Sequence, residues 1–175
     1  MSTVTLAASW VLPVDGPPIP DGRVAVEGDR VAWVGPAGDP SAPGGAVRDL
    51  GPGVLLPGLV NAHCHLELSH LQGAAPLGQG FVPWVEAVVA ARSRAGEEEV
   101  AARTAWSIAS LADRGTVAVG DISNRLGHLE VLEESGLRAV VFLEVLAWDP
   151  ARAGETAEWA GDRLAAAATD GAVEV

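Results

Sequence analysis

The sequence predicts an α/β fold for residues 58–175, and two observations carry this prediction. Short apolar segments typical of buried strands alternate with segments whose apolar residues recur at helical spacing. Each predicted strand is also followed by a helix before the next strand begins, an order that gives parallel strands with right-handed crossovers. Periodicity alone does not decide between a doubly wound open sheet and a closed barrel.

Residues 1–57 are predicted to form a separate segment of short strands. Val24–Glu27 and Arg30–Val34 flank Gly28-Asp29, a two-residue connection typical of a tight β-hairpin. Trp33 lies in the second of these strands, and we expect it to anchor a small sheet core. The Gly and Pro residues of segment 35–45 indicate a surface connection.

The predicted elements after residue 57 follow one another in a regular order. Acidic residues at the start of the second helix interact favourably with the helix dipole. Gly136 is expected to cap the C-terminus of the third helix. Trp84 and Trp106 occur at helical spacing and are interpreted as packing residues. We predict strands at Leu59–Ala62, Thr116–Val119, Arg138–Ala147 and Ala172–Val175, helices at Phe81–Arg94, Glu97–Ala112, Leu129–Glu134 and Glu155–Ala168, and a loop at Leu66–Gly80.

The composition excludes several classes of function. The formal net charge is −12, and all eleven basic residues are arginines. So acidic a chain is not expected to bind nucleic acid or a membrane surface. Its single cysteine excludes an internal disulfide, and its first residues do not resemble a signal peptide. No apolar run reaches the ~20 residues that span a bilayer, so we expect a soluble cytoplasmic protein.

Two histidines at the end of the first predicted strand form the strongest candidate site. Successive side chains on a strand point to opposite faces, so His63 and His65 project side by side while Cys64 faces the other side. This spacing allows both imidazoles to bind one metal ion. A His-x-His pair without further context also occurs in proteins that bind no metal.

The residues around this pair resemble a known family. The run Pro57-Gly58-Leu59-Val60-Asn61-Ala62-His63-Cys64-His65 is similar to the first-strand signature of the amidohydrolase superfamily. The continuation over Leu66–Gly73 resembles the branch of chlorohydrolases and hydrolytic deaminases of purine-type nucleosides, and most of all the aminodeoxyfutalosine deaminases. The resemblance extends over essentially the whole chain. Three later segments are also similar to this branch: Phe81–Arg92, Gly115–Asn124 and Gly136–Trp148.

The resemblance implies the N-terminal half of a (β/α)8 TIM barrel, preceded by a small β-sandwich segment at residues 1–57. A complete barrel needs about 250 residues. Residues 58–175 supply three βα units and the start of the fourth strand, so we expect the chain to be the first part of a longer enzyme. On its own it is expected to expose apolar edges, to be inactive, and to associate with itself as a homo-oligomer or with another partner.

The resemblance also implies a metal-dependent hydrolase that deaminates a nucleoside-like amino heterocycle, a small-molecule substrate. His63 and His65 are the implied ligands of a divalent metal, zinc or alternatively iron. The other ligands, a His and an Asp, come from later strands that lie outside this sequence. The metal lowers the pKa of a bound water toward about 7, and water then replaces the amino group as ammonia leaves. No catalytic acid or base is assigned within residues 1–175.

Three acidic residues are further candidates. Glu67 either contacts the substrate or is a solvated or ion-paired loop carboxylate. Glu144 lies in an apolar segment where an unpaired charge is costly, so it either lines the substrate site or pairs with an arginine such as Arg138. Asp121 is expected to cap a helix, with a supporting role at the site as the alternative. Cys64 is expected to be buried and inert.

Other functions remain open on the sequence alone. Dechlorination or amide hydrolysis can proceed on the same scaffold, since one fold supports many reactions. A barrel-derived binding protein without catalysis is a different class, and the retained His63 and His65 count against it. His70 and His128 fall outside the predicted strand ends and are not expected to bind the metal.

Overall fold

A computed structural model describes residues 3–76, 78–92, 94–147, 149–167 and 171–175. The chain divides into two compact units, Met1–Pro57 and Gly58–Val175. Trp148 and Ala168, which end predicted ranges, and Leu77 and Ser93, which fall inside predicted ranges, lie outside the described residues.

The first unit forms one mixed sheet. Its strands are β1 (Thr3–Val11), β2 (Ile19–Glu27), β3 (Arg30–Pro36), β4 (Ala46–Asp49) and β5 (Val54–Leu55). Their order is β3-β2-β1-β4, and β5 also pairs with β1. The predicted hairpin at Gly28-Asp29 is confirmed, because the ladder places Glu27 opposite Arg30. The β-sandwich implied by the resemblance stays a prediction.

The core of this sheet is built from small residues of β1 and β2. Thr5, Ala8, Val11 and Ala25 are buried. Trp33 is only half-buried, and its indole N–H donates to the hydroxyl of Ser41 at 3.2 Å. The register places Trp33 beside the buried Ala25, so its ring lies on the core face of the sheet while its polar edge reaches the surface loop.

The second unit contains a four-stranded parallel sheet. Its strands are β6 (Leu59–Cys64), β7 (Thr116–Ser123), β8 (Arg138–Leu143) and β9 (Val173–Glu174), and all neighbouring pairs are parallel. The order β6-β7-β8-β9 follows the chain. A doubly wound sheet reverses its strand order at a switch point, and the described strands show no reversal. The predicted α/β class is confirmed.

The helices alternate with these strands, as predicted. They are α1 (Phe81–Arg92), α2 (Glu97–Asp113), α3 (Leu129–Ser135) and α4 (Ala153–Ala166), with short 3₁₀ helices at Leu66–Leu71 and Pro150–Arg152. Gly136 ends α3 with a φ of 75°, in the left-handed conformation expected of a glycine cap.

Several boundaries differ from the sequence prediction. Strand β6 extends to Cys64 instead of Ala62, and β7 extends to Ser123 instead of Val119. Two further differences have a clear physical cause. Leu66–Gly80 is not a loop throughout, because Leu66–Leu71 forms a 3₁₀ helix in which the Ser69 hydroxyl donates to the Leu66 carbonyl. Strand β8 ends at Leu143 instead of Ala147. The Asn124 side chain donates to the Glu144 carbonyl at 2.7 Å, and this contact takes the place of a further ladder hydrogen bond.

One face of the parallel sheet packs on helices and carries the core. That core includes Ile108 of α2, Leu132 of α3, and Val119, Val141 and Val173 of the strands. In β8 the alternate residues Val140 and Phe142 are exposed, so the opposite face is open.

Two aromatic predictions failed. Trp84 and Trp106 were expected to be packing residues, but they are 39% and 55% exposed. The ring of Trp84 stacks on that of Phe81, with centroids 6.1 Å apart, at the surface of α1. Helical spacing identifies a common face but does not tell whether that face is covered. Within the described residues, no helix is long and apolar enough to cross a membrane.

Candidate metal centre

The two histidines of the His-x-His pair lie together at the carboxyl end of β6. The ring centroids of His63 and His65 are 5.4 Å apart, and their planes meet at 73°. Two imidazoles that bind one tetrahedral zinc ion through Zn–N bonds of about 2.0–2.1 Å place their centroids about 5 Å apart. The observed separation therefore fits a shared ion.

The register of the sheet shows which face carries this pair. Cys64 pairs with Asp121, and Asp121 pairs with Val141, so these three residues share one face. Val141 belongs to the buried core, which identifies this face as the one that packs on helices. His63 and His65, one residue to either side of Cys64, point to the open face. The 5.4 Å separation of the two rings agrees with side chains that lie on the same side of the chain.

The β6–β7 ladder is irregular beside the histidines. Asn61 pairs with Val119 and Cys64 with Asp121, so β6 contains one more residue than β7 between these pairs. Gly120 faces this irregularity, because a Cβ there would lie 2.6 Å from the Ala62 carbonyl oxygen. Such a bulge redirects the side chains of the strand that carries it.

Cys64 is half-buried beside the core and is not a candidate third ligand. Its Sγ lies 3.6 Å from the Gly120 carbonyl oxygen and 3.7 Å from Oδ1 of Asp121. Burial and the neighbouring Asp121 carboxylate raise the pKa of the Cys64 thiol to about 12. The thiol therefore stays protonated at neutral pH, whereas metal binding requires the thiolate. The predicted inertness of Cys64 agrees with this environment.

Glu67 is buried, contrary to the expectation of a solvated loop carboxylate. Its two oxygens accept hydrogen bonds from the Ser123 hydroxyl at 2.8 Å, the Asn124 N–H at 3.0 Å and the Arg125 N–H at 3.2 Å. A guanidinium nitrogen of Arg92 lies 3.7 Å from Oε1. The ion-paired alternative is the one that the structure shows. A direct contact between this carboxylate and a substrate stays a prediction.

Glu144 lies directly after β8 and beside the turn that Glu67 holds. Its N–H donates to the Ser123 carbonyl at 2.8 Å, and the Asn124 side chain donates to its Oε2 at 3.2 Å. Arg138, the suggested partner, begins the same strand that Glu144 follows, so about six residues, roughly 20 Å, separate them. Glu144 lines a groove of about 690 Å³ with Asn124 and Arg92.

The sequence interpretation missed a buried pair, Asp121 and His128. Asp121 lies inside β7 with no exposed surface, and its Oδ1 accepts the Leu66 N–H at 2.7 Å. The Nε2–H of His128 donates to Oδ2 at 2.7 Å, because an ionised carboxylate can only accept. Asp121 is not the N-cap residue of a helix as predicted; instead it accepts, from a neighbouring strand, the first N–H of the 3₁₀ helix Leu66–Leu71. Asp121 lies two residues from both Val119 and Ser123 on β7, so strand alternation places all three on the same, buried face. This spacing is the sequence signal that could have predicted the burial of Asp121.

The described residues contain two imidazoles that lie close enough together to share a metal ion. No group of three or more His, Cys, Asp or Glu side chains among them could hold an ion. A catalytic zinc typically has three protein ligands and one open position. His63 and His65 therefore fit part of a site, and further ligands have to come from elsewhere.

Known proteins match both the sequence and the fold, although no family model matches the chain. A 5-methylthioadenosine/S-adenosylhomocysteine deaminase from Moorella thermoacetica is 32% identical over 148 residues, covering 79% of this chain and 33% of that protein. Helicobacter pylori aminofutalosine deaminase in complex with methylthio-coformycin matches with a TM-score of 0.78 and 26% identity, over 97% of this chain and 42% of that one. An adenosine deaminase from Xanthomonas campestris with bound zinc shares the fold, with a TM-score of 0.59 and 22% identity over 99% of this chain and 42% of that one.

The fold and the His pair define the general class, an α/β protein with two imidazoles at the carboxyl edge of a parallel sheet. Within that class, the chain belongs to the amidohydrolase superfamily and matches the N-terminal part of its deaminases. It spans about a third of the length of the curated relatives it matches.

Proposed function

We propose that the full-length protein is a metal-dependent hydrolase that removes the amino group of a nucleoside-like heterocycle. The observation that carries this proposal is the position of His63 and His65, whose rings lie 5.4 Å apart at the carboxyl edge of the sheet. Relatives named as deaminases of 5-methylthioadenosine, S-adenosylhomocysteine and 5'-deoxyadenosine support it. The cytoplasm is the proposed location.

The proposed fold of the full-length protein is a (β/α)8 barrel whose first half is residues 58–175, with residues 1–57 as part of a small β-sandwich. The sequential order of the four parallel strands supports the barrel. The exposed Val140 and Phe142 lie on the face that carries the two histidines. In a closed barrel this face is the packed interior, and the active site lies at the carboxyl ends of the strands.

The proposed cofactor is a divalent metal, zinc in the first instance and iron as the alternative. His63 and His65 would hold it through ring nitrogens, together with ligands from outside residues 1–175. When bound, the ion supplies a Lewis acid that lowers the pKa of a water molecule. The chain itself orients the pair, because the Leu66 N–H, directly after His65, is bonded to the buried carboxylate of Asp121 at 2.7 Å.

We propose that Glu144 contacts the substrate and that Glu67 supports this contact. Glu144 presents a carboxylate to the groove, where it would accept hydrogen bonds from substrate hydroxyl or N–H groups. Both oxygens of Glu67 already accept hydrogen bonds, so this residue would act by holding the turn at Ser123 and Asn124. Asn124 in turn donates to Glu144 and fixes its position.

Ammonia release by the full-length protein tests the proposal. The panel contains adenosine, 5'-deoxyadenosine, 5-methylthioadenosine and S-adenosylhomocysteine, with a chlorinated triazine and an amide for the alternative reactions. We expect ammonia from at least one nucleoside, and a loss of more than about a hundredfold in kcat/KM for His63→Ala and His65→Ala. Chloride or amine release without nucleoside deamination would favour the alternatives. Binding without any turnover would favour a non-catalytic protein.

A further inference from the structure

The irregular pairing of β6 and β7 leaves the His pair without a regular ladder. Between Asn61 and Cys64 the register shifts by one residue, and His63 lies inside that interval. His65 follows the last residue of β6, so it also lies outside the regular ladder. Metal ligands have to be held within a few tenths of an ångström of their productive geometry. Another group must therefore fix the backbone at this strand end.

The Asp121 carboxylate contacts the chain on both sides of His65. Its Oδ1 accepts the Leu66 N–H at 2.7 Å, and the Cys64 thiol lies 3.7 Å from the same oxygen. Both sequence neighbours of His65 are thus attached to one carboxylate on the buried face. This arrangement turns the imidazole of His65 toward the open face, where His63 also lies.

His128 holds this carboxylate in its orientation. Its Nε2–H donates to Oδ2 at 2.7 Å, and its side chain is 6% exposed while that of Asp121 is fully buried. A buried carboxylate is costly to desolvate and is tolerated only when hydrogen bonds satisfy its oxygens. Both oxygens of Asp121 accept a hydrogen bond here, Oδ2 from His128 and Oδ1 from the Leu66 N–H.

We propose that Asp121, oriented by His128, is the positioning residue of the metal-binding pair. The inference rests on the proposed function in one respect, that His63 and His65 bind a metal ion. The hydrogen bonds of Asp121 go to Cys64, Leu66 and His128, so we do not propose Asp121 as a metal ligand. It acts through the backbone between His65 and Leu66, and its loss lets that peptide and the His65 ring reorient.

Zinc affinity of the full-length protein, measured by competition with a chromophoric chelator, tests the proposal. We expect Asp121→Ala to raise the Kd for zinc about 10- to 100-fold, the range typical of residues that orient metal ligands. Asp121→Asn retains an oxygen for the Leu66 N–H and should recover most of the affinity. Leu132→Ala is the matched control, because Leu132 of α3 is fully buried in the core and belongs to neither β6 nor β7.

The control separates positioning from general destabilisation. Leu132→Ala should lower the melting temperature as Asp121→Ala does while leaving the Kd for zinc within about threefold of the wild type. Equal Kd values for Asp121→Ala and the wild type, or equal losses in both variants, would overturn the inference. If Asp121→Ala does not fold, His128→Asn is measured instead, with about a three- to tenfold rise expected and no rise overturning it. A wild type that binds no zinc would overturn the proposed function together with the inference.

Discussion

Glu67 carries its charge inside the protein because four neighbours compensate for the loss of water. Three donors and the guanidinium of Arg92 surround its two oxygens. Two of those donors are backbone N–H groups of the turn after β7, so the carboxylate connects the 3₁₀ helix after β6 with that turn. Position 67 thus determines the geometry of two neighbouring strand ends.

Glu67→Gln is expected to destabilise the protein by about 2–4 kcal/mol. The new amide retains one acceptor but places an NH₂ donor against backbone N–H donors, and it leaves Arg92 without its counter-charge. Denaturant unfolding of the full-length protein measures this change. Glu155→Gln is the matched control, since it breaks an exposed pair with Arg152 at 3.4 Å and should cost less than about 0.5 kcal/mol. Equal effects of the two substitutions would contradict this role of Glu67.

Cys64 should react slowly with alkylating agents. Its thiol pKa is raised from 9.0 to about 12, so at pH 8 the fraction of thiolate falls by roughly two to three orders of magnitude relative to a free cysteine. Iodoacetamide labelling of the metal-free protein, followed by mass spectrometry, should therefore be slow below pH 10.

The same chain unfolded in guanidinium is the control, because its thiol regains an ordinary pKa. Native labelling within about tenfold of the unfolded rate at pH 8 would show that the thiol is not held protonated.

At the level of residues, the sequence identified the His pair because alternation on a strand depends only on spacing. The orientation of His63 and His65 to one face follows from that rule. The partners of Asp121 could not be predicted in the same way. His128 lies seven residues further along, beyond a turn, and only the folded turn brings its ring within 2.7 Å of the carboxylate.

At the scale of elements, the bulge in β6 depends on the close approach of β7. Gly120 leaves room for the Ala62 carbonyl oxygen, which would lie 2.6 Å from a Cβ at this position. That contact is with backbone, so no side-chain rotation can relieve it.

Gly120→Ala should therefore lower the free energy of unfolding by about 1–3 kcal/mol, the usual cost of overpacking. Thermal and denaturant unfolding measure the loss. Gly127→Ala is the control, since a Cβ at Gly127 meets nothing within 4 Å and the substitution should be neutral or slightly stabilising. A Gly120→Ala variant as stable as the Gly127→Ala variant would show that β6 and β7 can separate without cost.

The order and type of the helices and strands followed from periodicity, whereas several boundaries did not, and tertiary contacts explain two of them. The apolar run Val145–Ala147 continues the pattern of β8, but the strand ends where Asn124 takes the Glu144 carbonyl. The 3₁₀ helix Leu66–Leu71 has no helical period in sequence, and its buried anchors Leu66 and Glu67 are fixed by tertiary contacts. Contacts between distant segments determine both of these boundaries, and a local sequence pattern carries no information about such contacts.

At the scale of the whole molecule, the His pair and the open apolar face belong to the same side of the second unit. His63 and His65 lie on the face where Val140 and Phe142 are exposed. The α/β class could be predicted from alternation, but the sequential strand order that supports the proposed barrel could not. That order is a property of pairing between segments, and periodicity does not specify it.

The central claim is that the two imidazoles share one metal ion, and anomalous diffraction at the zinc absorption edge from crystals of the full-length protein tests it most directly. We predict one anomalous peak within about 2.0–2.1 Å of a ring nitrogen of both His63 and His65. The peak should disappear in the His63→Ala, His65→Ala double variant. A zinc-loaded crystal with the ion bound elsewhere, or with the two rings turned apart and no peak between them, would contradict the account.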